Sequence, residues 1–334
     1  MQAIGGKKAL PLCILKILSK YTDHDHPISM RDLIARLSRE YSIEAERKSV
    51  ARNLSLLMEM GYDISTYDEN GKGYYLRERD FTDAELRLLI DSVLSSRFIP
   101  KRDAERLVDK IKDLSTEYFA RETPHVVSMN QFQHPRNKEF FYILEILSQA
   151  ITGKKQVSFI YNEYGMDGLL HPRRERPYIV NPYEIVVNSG HYYLIANYSK
   201  YDNITHYRLD RITGIELLNT ARRPISDLPE HDGVGFDIGQ YVSEHIYMFC
   251  GKPEPVRLRM PITMTGNVVS AFGPEVSMTP AGKDLMDVRL NIAPEGVRLW
   301  VLQQGCECEV LEPQSLRKWI RREIKAMRKI YANE

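Results

Sequence analysis

Two groups of residues in this chain have the types and spacing for recognition chemistry. The first lies mid-chain, in His191-Tyr192-Tyr193-Leu194-Ile195-Ala196 and, a short turn later, Tyr207-Arg208-Leu209-Asp210-Arg211-Ile212. Both runs read as strands, so Tyr193, His191, His206, Arg208 and Arg211 share a small sheet, with Arg173 in a nearby basic loop that also holds His171 and Arg174. Arginine offers a fork of donors and tyrosine a stacking face with a hydroxyl, which suits a planar or phosphorylated partner. The second group is Lys48, Arg52 and Ser55, spaced to share one helix face and flanked by Arg47, Ser49 and Asn53. These types meet phosphates and base edges, and Lys72 waits at the tip of the hairpin that follows.

Each residue also has a structural reading. Tyr192, Leu194 and Leu209 alternate with more polar positions and read as core. Arg211 reads equally as a ligand contact, as a partner for an acid such as Glu216, or as a cap on the end of the sheet. His191 and His206 divide evenly between surface and ligand contact, whereas Arg208 reads as functional. A lone basic helix face is usually only solvated, but here it follows two helices and precedes a hairpin within about 70 residues, the order that lets a basic helix enter a major groove.

The bulk composition excludes several classes. Lysine plus arginine (46) balances aspartate plus glutamate (45) over 334 residues, so any polyanionic partner must meet a local patch. No apolar run nears the ~20 residues of a membrane span, and the start lacks a signal core, which points to a cytoplasmic protein. The four cysteines make no disulfide framework. Cys306 and Cys308 alternate on an expected strand and read as buried thiols. His24 and His26 with Asp23 and Asp25 read as a solvated loop, so no metal and no cofactor is expected. With no phosphate-cradling glycine loop and no nucleophile beside a base, an enzyme acting on nucleotides is disfavoured.

The elements that position these groups follow from periodicity. Leu10, Ile14, Ile17, Leu18 and Tyr21 mark a first helix, Ser29 with Asp32 caps a second over about 30–40, and Val50, Leu54 and Leu57 define a third from near Glu44 to Met60, closed by Gly61. Strands at 63–67 and 74–76 bracket a glycine-rich turn, completing a winged helix-turn-helix over 1–80. Helices over 82–96 and about 102–119, the latter with Leu107, Ile111, Leu114 and Tyr118 as its stripe, and a polar connector make a helical linker over 81–136. A helix over 137–152 with Phe140, Leu144, Leu147 and Ile151 inward, widened by Phe141 and Ile143, precedes five short strands at 156–161, 176–180, 183–187, 191–196 and 205–210. These predict a small barrel over 137–222. Strands at 256–260, 286–292 and 306–311 with helices at 267–272, 295–303 and 314–330 predict an α/β extension over 235–334. The fold class is therefore α+β and multidomain.

Three segments carry a family resemblance. The run Lys48-Ser49-Val50-Ala51-Arg52-Asn53-Leu54 with the Lys72-Gly73-Tyr74-Tyr75-Leu76 hairpin resembles the DeoR-like winged helices of bacterial regulators. Tyr192-Tyr193-Leu194, Tyr207-Arg208-Leu209-Asp210-Arg211-Ile212 and Asn181-Pro182-Tyr183 resemble the motifs of WYL-domain transcriptional regulators, with tyrosine in place of the first tryptophan. Leu299-Trp300-Val301-Leu302-Gln303-Gln304-Gly305 and Val310-Leu311-Glu312-Pro313 resemble their C-terminal, WCX-type extension. The resemblance implies an Sm-like barrel, a ferredoxin-like extension, and a homodimeric regulator that binds a double-stranded DNA operator. It also implies an effector of nucleic-acid or nucleotide type, single-stranded DNA included, in a DNA-damage or phage-defence setting. A second reading stays open: a single-strand or RNA sensor without operator-specific duplex binding.

Overall fold

The computed structural model describes residues 6–96, 99–122, 139–229 and 237–332. The chain separates into two compact units, residues 1–136 and 137–334.

In the first unit, helices α1 (Leu10–Tyr21), α2 (Met30–Tyr41) and α3 (Arg47–Glu59) enclose one core in which Ile14, Ile17, Leu33, Leu37 and Val50 are wholly buried. The Ser29 hydroxyl accepts from the Asp32 amide and starts α2. Helix α3 begins at Arg47, three residues later than the sequence predicts, because 42–46 run as coil with Ser42 in the left-handed region. The hairpin strands β1 (Ile64–Ser65) and β2 (Tyr75–Leu76) are shorter than predicted, since Tyr67–Asn70 form a helical turn, α4. Thr66 and Glu69 cap it reciprocally, drawing Tyr67 out of the strand. The Asn70 carboxamide accepts from the amides of Lys72 and Gly73 and shapes the tip. Paired amide and carbonyl bonds of 2.8 Å join Tyr74 to Ile28. Gly73 is required there, since a Cβ would collide with the Ile28 carbonyl. The arrangement fits a helix-turn-helix.

Helix α5 (Asp83–Ser95) starts at a Thr82–Glu85 capping box. The single helix predicted over 102–119 is instead two, α6 (Lys101–Lys112) and α7 (Glu117–Glu122). Ser115 and Thr116 divide them: the Ser115 hydroxyl donates to Asp83 at 2.7 Å, and Thr116 accepts from the Phe119 amide. Ala104 and Val108 face the core of this pair, and Leu114, expected inside, is exposed. Most of the predicted connector lies outside the described residues.

In the second unit, α8 (Phe140–Thr152) covers a six-stranded antiparallel sheet. Its buried face is Phe140, Ile143, Leu147 and Ala150, one position round from the predicted stripe, which leaves Phe141 outside. The strands are β3 (Lys155–Tyr164), β4 (Leu170–Pro172), β5 (Tyr178–Asn188), β6 (His191–Tyr198), β7 (Ile204–Arg208) and β8 (Ile212–Ala221), in the order β4-β3-β5-β6-β7 with β8 also on β3. The sheet is a curled half-barrel rather than the closed barrel expected: no ladder joins β7 to β8 among the described residues, and a 3-10 turn, Leu209–Arg211, connects them. The two strands predicted at 176–180 and 183–187 are one, passing through Pro182 at a register shift, as a proline without an N–H donor requires. Buried Asn181 and Asn197 bond each other at 2.9 Å and brace that irregularity. Strands β4 and β8 were not anticipated, because neither alternates cleanly.

Helix α9 (Ile238–Glu244), also unforeseen, leads through a 3-10 turn, Ile246–Met248, into β9 (Glu254–Pro261), α10 (Thr265–Phe272), β10 (Ser277–Pro280), β11 (Leu285–Ile292), α11 (Pro294–Gln303), β12 (Glu309–Glu312) and α12 (Gln314–Ile330). The sheet order β10-β11-β9-β12 is that of a split β-α-β motif. Its core holds Leu258, Val268, Val288, Val297 and Trp300. Cys308 is buried, which pushes its thiol up to about 12, but Cys306 is exposed on a 3-10 turn rather than inside a strand.

Candidate functional site

The two residue groups of the sequence lie in different units. On α3, burying Val50, Leu54 and Leu57 turns Arg47, Lys48 and Arg52 to solvent, and none of them forms an ion pair among the described residues. Ser49 is half-buried and takes the Asn53 side-chain N–H on its carbonyl at 2.8 Å, while Ser55 bonds the Ala51 carbonyl. Asn53 and Ser55 are thus held along the helix, and the cations are free to reach outward. Lys72 is exposed at the hairpin tip.

On the curled sheet, the register sets Tyr193 opposite Arg208 and Ile195 opposite His206. Tyr193, His206 and Arg208 therefore share one face, and Leu194 and Tyr207 point to the buried other. The Arg208 guanidinium grips Asp210 bidentately, Nε to Oδ1 at 3.0 Å and Nη2 to Oδ2 at 2.7 Å, and Nη2 also lies 3.0 Å from His191 Nδ1. Arginine can only donate, so that nitrogen of His191 carries a lone pair and its proton sits on Nε2. The carboxylate is only 5% exposed and the guanidinium 23%. The Arg208 amide donates to the Tyr161 hydroxyl at 3.1 Å, fixing the strand end. Among the described residues Nη1 of Arg208 makes no hydrogen bond, so a partly desolvated cation keeps an open pair of donors. Burial raises the Tyr193 phenol, with Arg208 opposing, so the hydroxyl stays protonated as a donor. Arg211 follows on the 3-10 turn, its buried Nε without a partner and its guanidinium 5.9 Å from the Tyr164 ring centroid. It does not pair with Glu216.

The other sequence candidates lie apart from this cluster's chemistry. His206 is enclosed: Nδ1 donates to the Met248 carbonyl at 2.7 Å, and Nε2 accepts from the Tyr241 hydroxyl at 2.8 Å. Burial pulls it down to about 4, so it is a neutral structural linker between sheet and extension. Arg173 is exposed, with its amide on the Tyr161 carbonyl. Arg174 stacks 3.4 Å from the Tyr178 ring centroid and donates to the Tyr198 hydroxyl, serving the aromatic core. The sequence reading gave no role to Asp210, although an acid two residues from an arginine at a strand end was the available signal.

Comparison with known proteins accords with this geometry. A model of the WYL domain matches residues 142–217, the curled sheet and its helix, and a model of the WCX domain matches 268–328. The chain is 24% identical over 304 residues, 86% of its own length and 90% of the other's, to the uncharacterized HTH-type transcriptional regulator YobV of Bacillus subtilis (strain 168). The chain carries a WYL domain and a WCX domain and is similar to an HTH-type transcriptional regulator. Among solved structures, this WYL-domain chain is similar to proteasome accessory factor B/C (PafBC) of Arthrobacter aurescens, at 17% identity and a TM-score of 0.27 over 96% of its length. It spans about half of that protein, 48%. A CRISPR Cas-related protein is 14% identical with a TM-score of 0.39, over 97% of this chain and 84% of that one. The Arg208–Asp210–His191 cluster falls inside the WYL match, and the helix bearing Arg47, Lys48 and Arg52 precedes it.

Proposed function

We propose that this WYL-domain regulator is a winged helix-turn-helix protein that binds duplex DNA through α3 and senses an anionic, nucleotide-type effector, single-stranded DNA included, on the β6–β7 face. The observation that carries the DNA reading is the row of exposed, ion-pair-free cations Arg47, Lys48 and Arg52 on a helix whose other face is fully packed. In a chain of net charge +1, that local patch supplies the phosphate attraction. Lys72 adds a backbone contact from the hairpin tip. The effector reading rests on an open donor beside a stacking face, Nη1 of Arg208 and the ring of Tyr193, with His191 steering the guanidinium and Arg211 following on the 3-10 turn. Domain limits of 1–80, 81–136, 137–222 and 235–334, a cytoplasmic setting, a role without catalysis and a homodimer that reads paired half-sites complete the proposal.

The test uses the full chain. Selection from a random duplex library should enrich a defined sequence, and short single strands should then change the affinity for it. Tight single-strand binding with no enriched duplex would replace this reading by the sensor-module alternative.

A further inference from the structure

Helix α12 continues past the core that holds it. Its root is fixed: Leu316 and Ile320 are buried, and Arg317 donates to the Val310 carbonyl and pairs with Glu309 at 2.8 Å. The Arg298 guanidinium adds a contact 4.8 Å from the Trp319 ring centroid. Beyond Ile320 the same stripe runs on uncovered, for Ile324, Met327, Ile330 and Tyr331 are between 47% and 79% exposed. Single exposed apolar side chains are ordinary on a surface, whereas a continuous stripe of them marks an interface. Leu316, Ile320, Glu323, Met327 and Ile330 also follow the alternating four-and-three spacing of a helix-pairing seam.

The charges are sorted to the other side. At about 100° per residue, Ile320, Ile324, Ile330 and Tyr331 fall within about 60° of Met327, and Arg321, Arg322, Lys325, Arg328 and Lys329 stand about 100–160° round from it. A partner that covers the stripe therefore leaves those cations in water, and an acidic partner would have to reach round the helix to meet them. The stripe is also a palindrome: isoleucines stand three positions either side of Met327, and four positions out Glu323 on one side answers Tyr331 on the other. That pattern suits a two-fold contact, in which a patch meets its own copy. An antiparallel copy of α12 centred on Met327 sets Ile324 level with the second copy's Ile330, and Glu323 level with its Tyr331, an acceptor beside a donor. A parallel copy sets Glu323 against itself.

We infer that the distal half of α12 is a two-fold interface between copies of this chain, with the two helices antiparallel and meeting at Met327. Four exposed side chains make a small contact beside the roughly 1,200–2,000 Å² of a standard stable interface, so α12 is one part of a dimer interface. The cations of the two copies repel each other, so the contact strengthens as salt screens them. The inference rests on the two-copy part of the proposed function and on none of its DNA or effector readings.

The test uses the full chain. Cys250 and Cys306 are exposed and Cys13 and Cys308 buried, so C250S with C306S gives a background into which M327C, E323C or K325C is placed singly. Under mild oxidation M327C is expected to form a covalent dimer about tenfold or more faster than K325C, on the outer face, or E323C, which opposes itself only in a parallel pair. By sedimentation, M327E in the otherwise unaltered chain should weaken self-association about tenfold with its circular dichroism unchanged. Wild-type self-association should tighten about threefold or more between roughly 0.1 M and 0.5 M salt. Cross-linking of M327C no faster than K325C, fastest cross-linking at E323C, or M327E associating as wild type would overturn the inference. Association that weakens with salt overturns it too, since charge pairing would then hold the copies together. A chain that stays dimeric in M327E without the M327C cross-link keeps the homodimer and loses this surface, whereas a chain monomeric in every condition loses both.

Discussion

Arginine does two different jobs on α3 and on β7. Arg52 is exposed and forms no ion pair among the described residues, on a helix already anchored by its apolar face. Arg208 is tied to a nearly buried carboxylate and an imidazole and is part of the sheet's own structure. The first is tied to nothing in the fold, and under the proposed function its charge serves an external polyanion. The second is oriented and partly dehydrated before any ligand arrives, which favours discrimination over general attraction. Charge alone would not separate them; the neighbours do.

The largest expected effect tests the structural half of that contrast. D210A strands the Arg208 guanidinium in a mostly buried setting and should cost about 3 kcal/mol of stability. The midpoint of denaturant unfolding for the second unit measures it, and a change under about 0.5 kcal/mol would reduce the pair to a surface contact. Next comes acid. His206 sits near 4 when folded against 6.5 for the free group, so the unfolded chain binds the extra proton. Stability from this group is complete above about pH 6.5 and is lost as pH falls toward 4, by about 2–3 kcal/mol. Its signature is the difference between the wild-type and H206Q pH–stability curves, which should converge at low pH.

Removing an exposed cation should do the reverse of D210A. R52A is expected to leave the unfolding midpoint within about 0.5 kcal/mol of wild type while weakening duplex binding by about tenfold and lowering the salt slope by about one. Unchanged affinity in a gel shift at moderate salt would remove α3 from the interface. K72A is the smallest: about a twofold to threefold loss, for one peripheral phosphate contact. An equal loss for R52A and K72A would mean that α3 contributes only charge, with no groove insertion.

The legibility of the molecule varied with the range of its interactions. Helices α1, α2 and α5 were readable because a local cap or an apolar stripe decides each one: Ser29 with Asp32 for α2, Thr82 with Glu85 for α5, and Leu10 through Leu18 for α1. The residues of the Arg208 face were also readable, since alternation on a strand assigns sides. The break at Ser115–Thr116 was not, because the bond that favours it runs to Asp83, 32 positions away. Strand β8 was missed for the same reason: its partner β3 lies over 50 residues earlier, and an irregular register hides its alternation.

By itself, then, the sequence determined the local elements, the order of the domains and the residue types available for recognition, because capping, periodicity and motif spacing act within a few residues. Tertiary structure decided what each type became. It enclosed His206 as a neutral linker, gave Arg208 its carboxylate, committed Arg174 to the aromatic core and left Arg52 unclaimed. Burial and partner choice are set by which distant residues arrive alongside, and no local pattern carries that information.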